Sequence, residues 1–156
     1  MSSDPDPVPD NVWLDPATSA GYMVRDTHLA FGKALRERLR QYGMTTGQYY
    51  FLRALWIEEG LSQRELSRRV GTTEPTTASA LRLLEKKGLV SRLRNRADRR
   101  TMNIFLTGEG RELKNQLLPM AMEVNRAATA GLDDAEMERA YAVLRRLREN
   151  LAGEDG

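Results

Sequence analysis

The sequence predicts a mainly α fold with a small β-hairpin wing, arranged as a winged helix-turn-helix domain flanked by N- and C-terminal helices. Three observations point to it. Two short, capped helical segments are joined by a glycine-containing turn at 71–73. A basic loop between two period-two stretches follows at 89–106, and longer segments with helical apolar spacing lie on both sides.

Residues 1 to about 15 carry four Asp and three Pro without periodicity, so a flexible N-terminal arm is expected over 1–18. From Ser19 the apolar positions Val24, Phe31, Leu35, Leu39 and Tyr42 recur at helical spacing up to Gly43. They predict one long helix over about 19–42 in an N-terminal segment 19–44. Thr45 and Gln48 form a T-x-x-Q capping box that opens a second helix through Leu52, Leu55 and Trp56 to Glu59, ended by Gly60.

A second capping box, Ser62-Gln63-Arg64-Glu65, starts a short helix over 63–70 that stops at Gly71. After Thr72 and Thr73, Glu74-Pro75 opens the next helix, because the fixed φ of proline suits a first helical turn, and it continues to Lys87-Gly88. Two short helices across so tight a turn are a helix-turn-helix. Alternation at 89–93 and 102–106 then predicts a hairpin whose tip, Asn95-Arg96-Ala97-Asp98-Arg99-Arg100, forms a basic wing, completing a domain over 45–107. In the C-terminal segment 108–156, Thr107 caps a helix through Leu113, Leu117, Leu118, Met122 and Val124. Pro119 is expected to kink or break it. Asp133 to Glu136 cap a final helix bearing Met137, Tyr141, Leu144, Leu147 and Leu151.

Charge sharpens the functional reading. Segment 62–107 holds 11 Lys/Arg against 4 Asp/Glu, whereas 1–61 holds 6 against 8 and 108–156 holds 7 against 10. All the positive excess therefore sits on the helix-turn-helix and its hairpin, which indicates double-stranded DNA as the partner. On the 74–87 helix an inward stripe of Thr77, Ala80, Leu81 and Leu84 leaves Thr76, Ser79, Arg82 and Lys86 for solvent or DNA. The caps and turn add Ser62, Thr72 and Thr73, and Thr77 completes the candidate DNA-contacting set on these helices. In the wing the candidates are Arg94, Arg96, Asp98, Arg99 and Arg100, with Asp98 expected to orient an arginine rather than to touch phosphate.

Several classes are excluded. The chain has no cysteine and one histidine, His28, which removes disulfides, thiolate chemistry and multi-histidine metal sites; no metal and no cofactor is expected. Neither a glycine-rich phosphate loop nor a nucleophile elbow is present, so an enzyme is not expected. The start MSSDPDPVPDN is unlike a secretory signal, and no apolar run approaches the ~20 residues of a membrane span, so a cytoplasmic location is expected.

The stretch SQRELSRRVGTTEPTTASALRLLEKKGLVSRLRNRADRRTMNIFLTGEGREL resembles the MarR family of bacterial regulators. The family's R-x-x-x-D-x-R wing stands here as Arg94, Asp98 and Arg100, and its L-x-x-K-G-L-V exit from the recognition helix as Leu84 to Val90. The preceding helix MTTGQYYFLRAL is similar too, so the resemblance covers about residues 40–118. Near Ser79 the chain departs from the family, which often has a basic residue there. The resemblance implies a homodimer joined through its first and last helices, reading a pseudo-palindromic operator whose half-sites lie about one helical turn, ~10 bp, apart. It also implies a small-molecule effector bound between the dimerisation helices and the winged domain. Tyr22, Arg25, His28, Tyr49, Arg53 and Trp56 are the candidate contacts, of a kind that suits an aromatic carboxylate or a phenol. A repressor released by such a ligand is the reading that follows. An activator of the same fold, or a winged-helix protein-interaction module without specific DNA binding, are the alternatives.

Overall fold

The structure is a computed structural model that describes residues 15–153; most of the expected N-terminal arm lies outside the described residues. Asp15 caps a short 3-10 turn at Pro16–Thr18 through the amide of Ala17, and Ser19 then caps α1 (Ala20–Leu39) by accepting from the Tyr22 amide. The expected single helix to 42 instead tightens at its end. A 3-10 turn, Arg40–Tyr42, follows α1 and closes on Gly43, whose φ of 59° is left-handed. Only Leu35 and Leu39 of α1 are buried, and every residue from Ala20 to Ala30 is exposed.

The Thr45–Gln48 capping box forms as the sequence predicts, with both reciprocal bonds at 3.2 Å, and opens α2 (Thr46–Ile57). Tyr49, Phe51, Leu52, Ala54 and Leu55 are buried, so α2 is the central helix of the core. It ends two residues before the expected Glu59. That side chain is drawn away to accept the Leu106 amide at 3.0 Å and both Nε and Nη2 of Arg111 at 2.8 Å.

After Gly60, a two-residue strand β1 (Leu61–Ser62) precedes α3 (Gln63–Val70) and α4 (Glu74–Lys86). The Ser62–Glu65 capping box and the left-handed Gly71 (φ 72°) bound α3, and Thr73 caps α4 with Pro75 in its first turn. The hairpin follows as β2 (Val90–Arg94) and β3 (Met102–Leu106), paired from Val90↔Leu106 to Arg94↔Met102. The sheet has three strands in the order β1-β3-β2, with Leu61 opposite Ile104. β1 was not expected, because two residues carry no periodicity and Ser62 reads as a helix cap. Leu52, Leu55, Leu66, Leu81, Leu84 and Ile104, all at most 1% exposed, form the core beneath helices and sheet.

Thr107 caps α5 (Gly108–Glu112) and donates its hydroxyl to the Gly88 carbonyl at 2.6 Å. Gly110 packs so closely on the hairpin's entry that an added Cβ would lie 2.1 Å from the Leu89 carbonyl oxygen. Its own carbonyl accepts from Trp56 Nε1 at 2.9 Å. The expected break at Pro119 falls instead at Leu113, between α5 and α6 (Lys114–Ala128). Pro119 stays inside α6, where its missing N–H leaves the Asn115 carbonyl without an intrahelical donor.

The chain divides into two compact units at Met120/Ala121. Within the second unit, the end of α6 turns at Gly131 (φ 85°) into α7 (Asp134–Ala152), capped by a reciprocal Asp133–Glu136 box with both bonds at 2.8 Å. No residue of α7 is buried, and Tyr141, Val143, Leu144 and Leu151 are each at least half exposed.

Candidate nucleic-acid interface

Helix α4 is held from beneath by Thr77, Leu81 and Leu84, each fully buried. This leaves Thr76, Ser79, Arg82 and Lys86 exposed, as the spacing predicts. Arg82 donates to Ser79 Oγ at 3.2 Å, so its guanidinium arches back over the first turns of the helix. Thr73, exposed at the N-cap, donates to Thr76 Oγ1 at 2.9 Å, and Thr72 is half-buried in the turn. Thr77 needs correction as a DNA-facing residue. Its hydroxyl is enclosed between α3 and α4, on Ser67 Oγ and the Thr73 carbonyl. Ser62 is half-buried and its hydroxyl is spent on Glu65, so it acts as a cap.

Leu83, 51% exposed, was not anticipated. It lies seven residues from Thr76 and four from Ser79, on the same outward face, so an apolar side chain joins the hydroxyls there. The signal was available: with Leu81 and Leu84 turned inward, a helical wheel leaves Leu83 outside. Arg92 was also missed. It donates through Nε to Glu85 at 3.2 Å and ties the hairpin to α4.

In the wing, Arg94, Arg96, Arg99 and Arg100 are all exposed. Among the described residues none of the four guanidiniums takes part in an ion pair. The lone carboxylate does not neutralise them. Asp98 accepts the Arg100 amide at 3.0 Å and the Thr101 hydroxyl at 2.8 Å, and these bonds hold its carboxyl below the usual carboxylate range. Asp98 is therefore structural, as expected, but it acts on the backbone of Arg100 and not on an arginine side chain. Asn95 completes the turn by accepting the amides of Ala97 and Asp98 at 2.8 and 3.1 Å. A polar loop thus spends its neutral and acidic groups on its own backbone and presents its cations outward.

The six candidate effector contacts are not gathered in one described cleft. Tyr22, Arg25 and His28 are exposed on the first turns of α1, with the Arg25 guanidinium 5.8 Å from the Tyr22 ring and paired to Asp26. Tyr49 belongs to the core: it is 2% exposed and packs edge-on against Tyr50 and Trp56 at 5.6 and 6.1 Å. Burial pushes its phenol pKa up. Trp56 is half-buried, with its N–H committed to Gly110. Arg53 lines a cleft of about 220 Å³ with Tyr50, Ala54, Ile57, Arg69 and Val70. A second cleft of about 350 Å³ lies between Tyr42, Met44, Lys87, Leu89 and the α5 residues Glu109 and Glu112.

A helix-turn-helix whose second helix presents hydroxyls beside a hairpin with four arginines free of ion pairs among the described residues defines a winged-helix protein built to face a polyanion. The MarR family model matches residues 42–101. The HTH-type transcriptional regulator TtmR of Methylorubrum extorquens is 43% identical over 88 residues, 56% of this chain and 45% of that protein, so the chain spans about half of that relative's length. The structure of a MarR transcriptional regulator from Methanosarcina mazei is similar at a TM-score of 0.71 and 30% identity, covering 85% of this chain and 93% of that one. The Staphylococcus aureus MepR–DNA complex aligns at a TM-score of 0.78 and 26% identity, over 85% of this chain and 98% of that one. The chain belongs to the MarR family of winged helix-turn-helix transcription regulators.

Proposed function

We propose that this protein is a homodimeric repressor that reads a pseudo-palindromic operator and is released by a small aromatic carboxylate or phenol. The observation that carries the DNA-binding part is the set of four exposed wing guanidiniums without acidic partners, beside the outward hydroxyl face of α4. In this reading α4 enters the major groove, with Thr76 and Ser79 at the base edges and Arg82 and Lys86 toward the backbone, while the wing lies along flanking phosphates. The solved complex of its S. aureus relative with DNA supports this.

Dimerisation is supported by apolar surface that each unit leaves uncovered. In the first unit Tyr22, Met23, Val24 and Leu29 are 46–53% exposed on α1, and in the second unit Tyr141, Val143, Leu144 and Leu151 are 50–67% exposed on α7. A second copy is the occupant that a two-fold operator requires. The effector is assigned to the aromatic and cationic character of α1 and α2, with Tyr22, Arg25, His28 and Arg53 as the accessible groups. A cytoplasmic location goes with this role.

The test is the salt dependence of binding to duplex DNA from upstream of the protein's own gene. Arg100→Ala is expected to weaken binding to all sequences and to lower the slope of log K against log salt by about one. Identical slopes for the wild type and Arg100→Ala would reject the wing as a phosphate contact and favour a protein-interaction module.

A further inference from the structure

The interface between α3 and α4 contains one buried polar contact in an otherwise apolar setting. Ser67 and Thr77, 4% and 0% exposed, place their hydroxyl oxygens 2.7 Å apart. Around them Leu66, Leu81 and Leu84 are fully buried. Other polar links across this interface are exposed and long: Gln63 Nε2 to the Glu74 carbonyl at 3.5 Å, and Arg64 to Glu74 at 4.0 Å.

Proton counting orients the contact. Each hydroxyl has one proton. Thr77 Oγ1 lies 2.9 Å from the Thr73 carbonyl and donates to it, so its oxygen accepts from Ser67, whose one proton is shared between Thr77 Oγ1 at 2.7 Å and the Gln63 carbonyl at 2.9 Å. The chain Ser67→Thr77→Thr73 therefore runs from the core of α3 to the N-cap of α4. The same residue caps the exposed face separately, its hydroxyl donating to Thr76 Oγ1 at 2.9 Å.

We infer that the Ser67–Thr77 hydroxyl pair is a positioning device for base readout, fixing the rotation of α4 about its own axis and hence where Thr76 and Ser79 point. The inference rests on the reading of α4 as the base-reading helix. Leucine contacts are non-directional and permit a helix to roll, whereas a short O–H···O bond tolerates only a few tenths of an ångström. With side-chain tips about 5 Å from the helix axis, a roll of about 20° moves a tip by nearly 2 Å. That shift is several times the tolerance of a hydrogen bond to a base edge.

Either member can be removed without creating an orphan. Ser67→Ala leaves Thr77 bonded to Thr73, and Thr77→Val leaves Ser67 its bond to the Gln63 carbonyl at 2.9 Å. The experiment compares the wild type, S67A/T77V and Thr77→Ser by anisotropy on two duplexes: one selected by the wild type from a randomised pool, and a shuffled version of it. The double variant, with apolar groups of similar shape in place of both hydroxyls, is expected to melt close to the wild type and keep its salt slope. Its preference for the selected duplex should fall about tenfold, as for the loss of one good base contact. Thr77→Ser, which keeps the hydroxyl, should retain the preference. A double variant that melts lower yet discriminates like the wild type would overturn the inference and leave the pair merely stabilising. Should the double variant not fold, Ser67→Ala alone must show the loss of preference, and full discrimination by it refutes the proposal. No preference in the wild type itself would instead reject the DNA-reading function, and the positioning role with it.

Discussion

Removing the Glu59 carboxylate tests how the winged domain is tied to the helix that follows it. Glu59 accepts three bonds, two from the Arg111 fork at 2.8 Å and one from the Leu106 amide at 3.0 Å. Its side chain is 28% exposed and that of Arg111 is 54% exposed, so solvent screens the ion pair and its contribution is small. The Leu106 amide is a different matter. Leu106 is 4% exposed, and leaving its N–H without an acceptor costs roughly 1–2 kcal/mol. Glu59→Ala should therefore destabilise by at least about 1–2 kcal/mol, a drop in Tm of roughly 2–8 °C for a chain of this length. Arg111→Ala and Glu59→Gln, which spare the amide, should each cost clearly less than Glu59→Ala. The double variant Glu59→Gln/Arg111→Ala should cost little more than either alone, because both remove the same bond.

The pH dependence has a defined sign. The Arg111 hydrogen bonds lower the Glu59 pKa in the folded protein below its ordinary 4.5. The clamp's contribution is thus complete above about 4.5 and is lost as pH falls through the depressed folded value. Thermal melts at one fixed protein concentration, at neutral pH and stepwise below pH 5, measure both effects. A Glu59→Ala cost no larger than that of Arg111→Ala, or a gap between wild type and Glu59→Gln that widens on acidification, would refute this role of the clamp.

Other expectations concern the interface and the packing. Thr76→Ala should change the preference among operator sequences with a smaller effect on the salt slope than Arg100→Ala, read by selection from randomised duplexes. Gly110→Ala should destabilise by about 2–3 kcal/mol, because the new methyl would meet the Leu89 carbonyl at 2.1 Å, and a melt close to the wild type would contradict that packing. Leu144→Asp places a charge on the exposed apolar face of α7 and should convert a dimer to a monomer in sedimentation experiments. A variant that stays dimeric would remove α7 from the proposed contact.

Most of the helical architecture was legible because its signals are local. Thr45–Gln48, Ser62–Glu65 and Asp133–Glu136 are reciprocal caps whose bonds the structure contains, and period-two alternation located the hairpin. What escaped depended on distant partners. β1 exists because Leu61 and Ser62 meet Ile104 and Asn103 across the sheet, and α2 stops early because Glu59 is taken by Leu106 and Arg111. The break was expected at Pro119, whereas the helix interrupts at Leu113 and carries Pro119 inside α6. At the interface, the wing arginines were legible from charge alone. The burial of Thr77 followed from its helical spacing, which already placed it inward. The backbone role of Asp98 was hidden because neighbouring arginines in sequence suggest ion pairs that the turn geometry does not make.

The most direct test of the central claim is fluorescence anisotropy of the purified protein on duplex DNA from upstream of its own gene, against a shuffled duplex, at physiological salt. A Kd near or below ~10 nM is expected on the first and binding at least about a thousandfold weaker on the second. Equal, weak binding to both would contradict the claim.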